Sequence, residues 1–99
     1  MPDATDAAAD SPPAAPSLRE RGNVAFKTRD FETAETLYSA AIDETSDDGD
    51  AAALLSNRAA ARVELGKLDD AIADADSAIA RAPTWTKAFY RKSQALRAK

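Results

Sequence analysis

The sequence predicts an all-α fold, an α–α superhelix of about two and a half repeats and five helices. Three observations predict it. The stretches RGNVAFKTRDFETAETLYSAAI and RAAARVELGKLDDAIADADSAI carry the same punctuation 37 residues apart: Phe31 matches Leu68, Ala34 matches Ala71, Ala41 matches Ala78 and Ile42 matches Ile79. A third copy begins 34 residues after the second, where Leu55 matches Phe89 and Asn57 matches Arg91. A fixed period of this size marks a helical solenoid. Within each copy the apolar residues recur at helical spacing, and no strand alternation appears.

Each element has its own signals. Residues 1–16, MPDATDAAADSPPAAP, hold four of the five prolines and no large apolar residue beyond Met1. Such a segment buries too little to offset its ordering entropy, so a disordered acidic tail is expected there. The repeat domain is expected over 17–99, with repeats at about 17–50 and 51–83 and a truncated third at 84–99. Ser17, with Glu20 three residues on, reads as a capping box opening a helix over about 17–29. Leu18, Gly22, Ala25 and Phe26 share one face of it. Asp30 caps a second helix, 31–44, with Phe31, Ala34, Tyr38, Ala41 and Ile42 inward. The run TSDDGD then reads as a break, and its extra loop residues account for a first spacing of 37 and not 34.

A third helix is expected over 51–65, ended by Gly66 as glycine ends helices at C′. The fourth, 68–81, carries Leu68, Ala71, Ile72, Ala75, Ala78 and Ile79 inward and stops before Pro83. Thr84 is expected to cap the fifth, with Trp85, Phe89 and Leu96 as its apolar side. The small residues Gly22, Ala34, Ala59, Ala71 and Ala78 mark close helix approaches, with Phe31, Leu68, Tyr38 and Phe89 filling volume between them.

Composition narrows the function. No cysteine or histidine is present. That removes thiolate chemistry and the commonest general base and metal ligand. Ser, Asp and Glu occur without a nucleophile–base arrangement, so no enzyme is expected and no cofactor is implied. A net charge of −4 argues against nucleic acid as the main partner. No apolar run approaches the roughly 20 residues of a membrane span. The acidic N-terminus has the form of neither a signal nor a transit peptide. A cytoplasmic or nuclear protein is the expectation.

These residues resemble the tetratricopeptide repeat family. The first copy offers Gly22, Phe31, Ala34, Tyr38 and Ala41, and the second Ala59, Leu68, Ala71, Ala78 and Pro83. The sequence departs from the family pattern at Ser46, Arg62 and Ala75. The resemblance covers 17–99, and it implies that the first helix of each repeat lines a concave groove.

Charge is sorted by helix type. Residues 17–29, 51–66 and 84–99 hold eleven Lys or Arg and two Glu, whereas 30–50 and 67–83 hold two basic and twelve acidic residues. With the family geometry, the groove is expected to be basic and the back acidic. LRERGNVAF, SNRAA and WTKAFYRK resemble the dicarboxylate-clamp stretches of chaperone-binding members. Carried over position by position, the clamp comprises Arg19, Asn23, Asn57, Lys87 and Arg91, with Arg19 where Lys is usual. Arg19 and Asn23 are four apart, as are Lys87 and Arg91, so each pair shares a helix face. Three cations and two amides suit paired carboxylates, and Arg grips a carboxylate through two parallel hydrogen bonds. The resemblance implies the C-terminal Glu-Glu-Val-Asp tail of the 70- and 90-kilodalton heat-shock chaperones as ligand.

Arg58 and Lys92 read as structural or solvent-facing, and Trp85 and Phe89 as core. Glu64, seven residues after Asn57, sits on nearly the same face and favours a basic or neutral side chain upstream of the acidic tail. Two other functions remain open. One is a scaffold that self-associates through the uncovered third-repeat helix. The other is an accessory domain of a larger enzyme.

Overall fold

The computed structural model describes residues 17–99, so the expected tail over 1–16 lies outside the described residues. Five helices follow one another: α1 (Leu18–Lys27), α2 (Phe31–Glu44), α3 (Asp48–Glu64), α4 (Leu68–Arg81) and α5 (Thr86–Ala98). Among the described residues there is no strand. Each helix packs on the next, and α5 also packs on α3.

Helix ends follow local chemistry. The Ser17 hydroxyl accepts from the Glu20 N–H at 3.1 Å, and the Glu20 carboxylate accepts from the Ser17 N–H at 2.8 Å, which completes the capping box. Asp30 caps α2 by accepting from the Thr33 N–H. The α1–α2 and α3–α4 turns close in the same way. Arg29 (φ 66°) and Gly66 (φ 79°) are left-handed at equivalent positions. In the first turn the Asp30 N–H reaches Ala25 O and the Arg29 N–H reaches Phe26 O. In the second the Lys67 N–H reaches Arg62 O and the Gly66 N–H reaches Val63 O. Both are Schellman closures that satisfy carbonyls at the helix end.

Two boundaries differ from expectation. The run TSDDGD is not all loop, because α3 starts at Asp48. Asp47 accepts from the Asp50 N–H at 2.8 Å, and Asp48 and Asp50 place negative charge on the positive end of the helix. The extra residues of the first spacing therefore lengthen α3. At the other end Thr84 does not cap α5. The Trp85 N–H bonds Ala82 O in a turn, which moves the helix start to Thr86. Trp85 holds the cap position without a side-chain cap bond, its ring packed against the cluster around Leu55, Ala78 and Ala88.

The small residues permit close packing. A Cβ on Gly22 would lie 2.7 Å from the Tyr38 ring, so glycine is what admits that tyrosine. Ala34, Ala59, Ala71 and Ala78 are all fully buried. α3 is covered on two faces. Leu54 and Ala61 pack back onto Ala25, Ala34, Tyr38 and Ala41. Ala52, Leu55 and Ala59 pack forward onto α4 and α5. α5 is covered on one face only, through Ala88 and Ala95. Phe89 and Leu96, expected in its core side, are exposed instead, because no described helix packs over them.

A polar network ties the repeats together. Asp74, buried in α4, accepts from Arg58 Nε (2.9 Å), Arg58 NH2 (2.7 Å) and Arg62 NH1 (2.9 Å). Arg58 also donates to Ser39, and Arg62 to Glu35 at 2.7 Å. Lys67 donates to the other Glu35 oxygen at 2.8 Å. This explains the sequence's departure at Arg62, whose guanidinium spans two helices. Burial pushes the Glu35 carboxyl up, but hydrogen bonds from Lys67 and Arg62 outweigh it and leave its pKa below the ordinary value. Arg62 shifts the other way: burial lowers it, and Glu35 and Asp74 more than offset that.

Candidate functional site

The site starts from a stripe on α1. Arg19, Asn23 and Lys27 recur every four residues and so share one helix face. Arg91 on α5 holds the register of Asn57 on α3, 34 residues further on. A hollow of about 170 Å³ collects these positions. Asn23, Phe26 and Lys27 from α1, Asn57 and Ala60 from α3, and Arg91 from α5 line it, with Tyr38 of α2 behind. The first helices of all three copies thus contribute to one concavity.

Of the five sequence-derived clamp residues, three meet there: Asn23, Asn57 and Arg91. Arg19 instead lines a neighbouring hollow of about 330 Å³, together with Glu44 and Asp50. Lys87 is exposed on the first turn of α5 and lines neither hollow. Glu64 does not line the first hollow either; it sits at 4.0 Å from Arg29 near the helix ends.

Hydrogen bonding fixes what this hollow offers. The Tyr38 hydroxyl donates to Asn23 Oδ1 at 2.6 Å. Burial raises the Tyr38 pKa above its ordinary value against the opposing charges of Arg19 and Arg91, so the hydroxyl stays protonated and donates. The Asn23 oxygen is therefore engaged, and its NH2 group is the donor the amide has left over. Arg91 NH1 reaches Gln94 at 3.2 Å, while its buried Nε has no partner among the described residues. The Arg91 guanidinium carbon lies over the Tyr90 ring, 5.3 Å from its centroid. Arg19 acts on the Tyr38 hydroxyl from the adjacent hollow, so its field reaches this one as well.

The arrangement is a donor-rich recess with an apolar wall of Phe26 and Ala60. Such donors suit an anion. The expectation of a basic groove narrows on inspection. Arg58 and Arg62 turn into the network around Asp74, Lys92 pairs with Asp76 and Lys99 with Asp69. Arg19, Arg21, Lys27, Lys87, Arg91 and Arg97 keep their charge free of ion pairs among the described residues. Lys27 was missed from the sequence, although extending the Arg19–Asn23 spacing by one more turn reaches it. The sequence pattern marks Tyr38 only as volume filler; no spacing argument links it to Asn23, because the two lie on different helices.

Residues 19–84 match the family model described as tetratricopeptide repeat. Hsp70-Hsp90 organizing protein 2 of Arabidopsis thaliana is 39% identical over 85 residues, covering 79% of this chain and 14% of that protein. Serine/threonine-protein phosphatase T of Trypanosoma brucei brucei is 37% identical over 81 residues, covering 82% of this chain and 16% of that protein. The chain thus spans about a seventh of the length of these relatives. Among solved structures, the first TPR of Spaghetti (RPAP3) bound to HSP90 peptide SRMEEVD superposes with a TM-score of 0.76 at 32% identity, covering 82% of this chain and 63% of that one.

Proposed function

Since this chain belongs to the tetratricopeptide repeat family, we propose that its groove is a peptide-binding co-chaperone site for the acidic C-terminal tail of heat-shock chaperones. The observation that carries this reading is the convergence of Asn23, Asn57 and Arg91 from three helices on one recess, with the Arg91 Nε buried and unpartnered. A carboxylate supplies what that donor lacks. The Asn23 amide, fixed by Tyr38, adds a second donor in a set position, and Lys27 adds a third cationic edge. The solved relative whose name records an HSP90 peptide ending in EEVD supports the same ligand class.

In this reading Arg19 and Lys87 complete the clamp from the rim, closing on the peptide's terminal carboxylates from either side. The peptide docks in extended form against preorganised donors. Affinity is modest, because a short peptide is ordered on binding, and it falls as salt rises, because the contacts are ionic. The domain recognises and does not catalyse. The phosphatase relative favours one broader setting, in which such a domain accompanies an enzyme in a longer protein.

Calorimetric titration with a peptide ending Glu-Glu-Val-Asp tests the proposal. Arg91→Ala should weaken binding at least about tenfold, the scale of losing one charge-assisted bidentate contact. Lys87→Ala should weaken it less, and amidation of the peptide's C-terminus should abolish most of it. Equal affinities for all four combinations would exclude the groove as the site.

A further inference from the structure

Arg19 stands between two hollows of opposite sign. On one side is the recess where Asn23, Asn57 and Arg91 meet, and Arg91 is in no ion pair among the described residues. On the other is the hollow of about 330 Å³, with Leu18, Ala41 and Leu54 as its apolar lining. Two carboxylate residues line it as well: Glu44, the last residue of α2, and Asp50, in the first turn of α3. Arg19 lines this second hollow and not the first, yet its charge still bears on the Tyr38 hydroxyl that backs the first.

Glu44 has no evident part in holding the fold together. It sits at the negative end of the α2 dipole, and the last turn of that helix has no basic residue to answer it. A carboxylate is electrostatically unfavourable there. Neither Glu44 nor Asp50 belongs to an ion pair among the described residues. The other acid close by in sequence, Glu20, is occupied by the Ser17 N–H in the capping box. Arg19 is the cation that shares the hollow with Glu44 and Asp50.

We propose that Glu44 and Asp50 are positioning residues that hold Arg19 over the second hollow until a ligand with paired carboxylates draws it across to the first, an inference that rests on the peptide-binding reading of that first hollow. Without ligand, Arg91 repels Arg19 from one side and two carboxylates attract it from the other. Two ligand carboxylates in the recess neutralise Arg91 and reverse that balance. Arg19 is exposed and has a long, rotamer-rich stem, so its guanidinium can move while α1 stays in place. Affinity is reduced by the fraction of molecules in which Arg19 faces the wrong hollow. A ligand with a single carboxylate reverses the balance only in part. The two acids therefore lower affinity and sharpen selection for paired carboxylates.

The test is calorimetric titration of the full chain with a peptide ending Glu-Glu-Val-Asp. Glu44→Gln combined with Asp50→Asn should tighten binding about three- to fivefold, the scale of releasing an exposed charge pair. In an Arg19→Ala background the same two substitutions should change affinity by less than about 1.5-fold, because the acids act through Arg19. Glu32→Gln with Asp43→Asn removes equal charge from α2 at positions lining neither hollow, and should gain little. Melting by circular dichroism should show Glu44→Gln at least as stable as the parent, since the acid it removes opposes the helix dipole. Unchanged affinity in the Glu44 and Asp50 variant overturns the inference. So does a gain that survives Arg19→Ala, or an equal gain from the Glu32 and Asp43 pair, since either would be general charge repulsion. In all three cases a parent chain that binds the peptide and is weakened by Arg91→Ala leaves the peptide-binding reading standing. A parent chain that does not bind the peptide overturns both.

Discussion

Two arginines of α3 and one of α5 occupy opposite extremes of the same chemistry. Arg58 and Arg62 share the buried Asp74, and each has a further partner on α2, Ser39 for one and Glu35 for the other. Among the described residues Arg91 makes one side-chain bond, to a glutamine on its own helix, and keeps a buried Nε without a partner. The first pair holds helices together; the third has no acid opposite it among the described residues. Basic residue counts by helix do not distinguish these cases, because the distinction depends on which acid lies opposite. Groove chemistry here comes from the cations that the fold does not neutralise.

The sharpest way to break the comparison is to remove the shared acid. Asp74→Ala leaves two guanidinium groups partly buried without their carboxylate, and should cost about 3–5 kcal/mol in urea denaturation. Asp76→Ala removes an exposed pair with Lys92 and should cost within about 1 kcal/mol. Equal costs for the two would mean that burial of the network contributes nothing. On the α5 side, Arg91→Met keeps the aliphatic stem and removes the unpartnered donor. Its stability should stay within about 0.5 kcal/mol of the parent, while affinity for the acidic peptide falls at least about tenfold. A large stability loss there would make Arg91 a structural residue like Arg58.

Acid should act on the network first. Glu35 has its folded pKa below the ordinary value of 4.5, because hydrogen bonds from Lys67 and Arg62 overcome the effect of burial. A depressed carboxyl contributes stability that is present above its unfolded pKa and is lost as pH falls through the folded one. Urea midpoints measured from pH 7 downward should therefore hold until the carboxylate range and then fall. Glu35→Gln should start lower at pH 7 and lose less on acidification. An unchanged acid slope in the variant would show that other carboxylates carry it.

Much of the fold was legible because it rests on spacing. The repeat register, the Ser17 and Asp30 caps and the Gly66 stop are local, and they stand where the sequence puts them. The start of α3 was misread because Asp and Gly favour turns, while three aspartates also suit a helix N-terminus; that competition is decided by Asp47 capping Asp50. Phe89 and Leu96 were misread for a different reason. Apolar periodicity says which face a helix could bury, but a neighbouring helix must be present to bury it. The site was half legible. Asn57 and Arg91 fall in one register and meet Asn23 at the hollow, whereas the Tyr38–Asn23 bond joins two helices and has no spacing to reveal it.

Ser56 supplies the finest test of what an unpartnered polar atom means. Its hydroxyl, like the Arg91 Nε, is buried without a hydrogen-bond partner among the described residues. The two differ in what they face. Arg91 lines the hollow, where a carboxylate has access, whereas Ser56 is fully enclosed on the forward face of α3. Its counterpart in the third copy, 34 residues on, is Tyr90, which is exposed where Ser56 is 0% exposed. Ser56 thus reads as a small residue chosen for close packing, with a hydroxyl that costs stability and has no ligand to meet. Ser56→Ala removes that hydroxyl, adds helix propensity and leaves the volume nearly unchanged. It should raise stability by about 1 kcal/mol, a melting shift of about 4–8 °C in a domain this size, with peptide affinity unaltered. A destabilised variant would mean that the hydroxyl has a partner in solution, and that unpartnered burial alone does not single out Arg91.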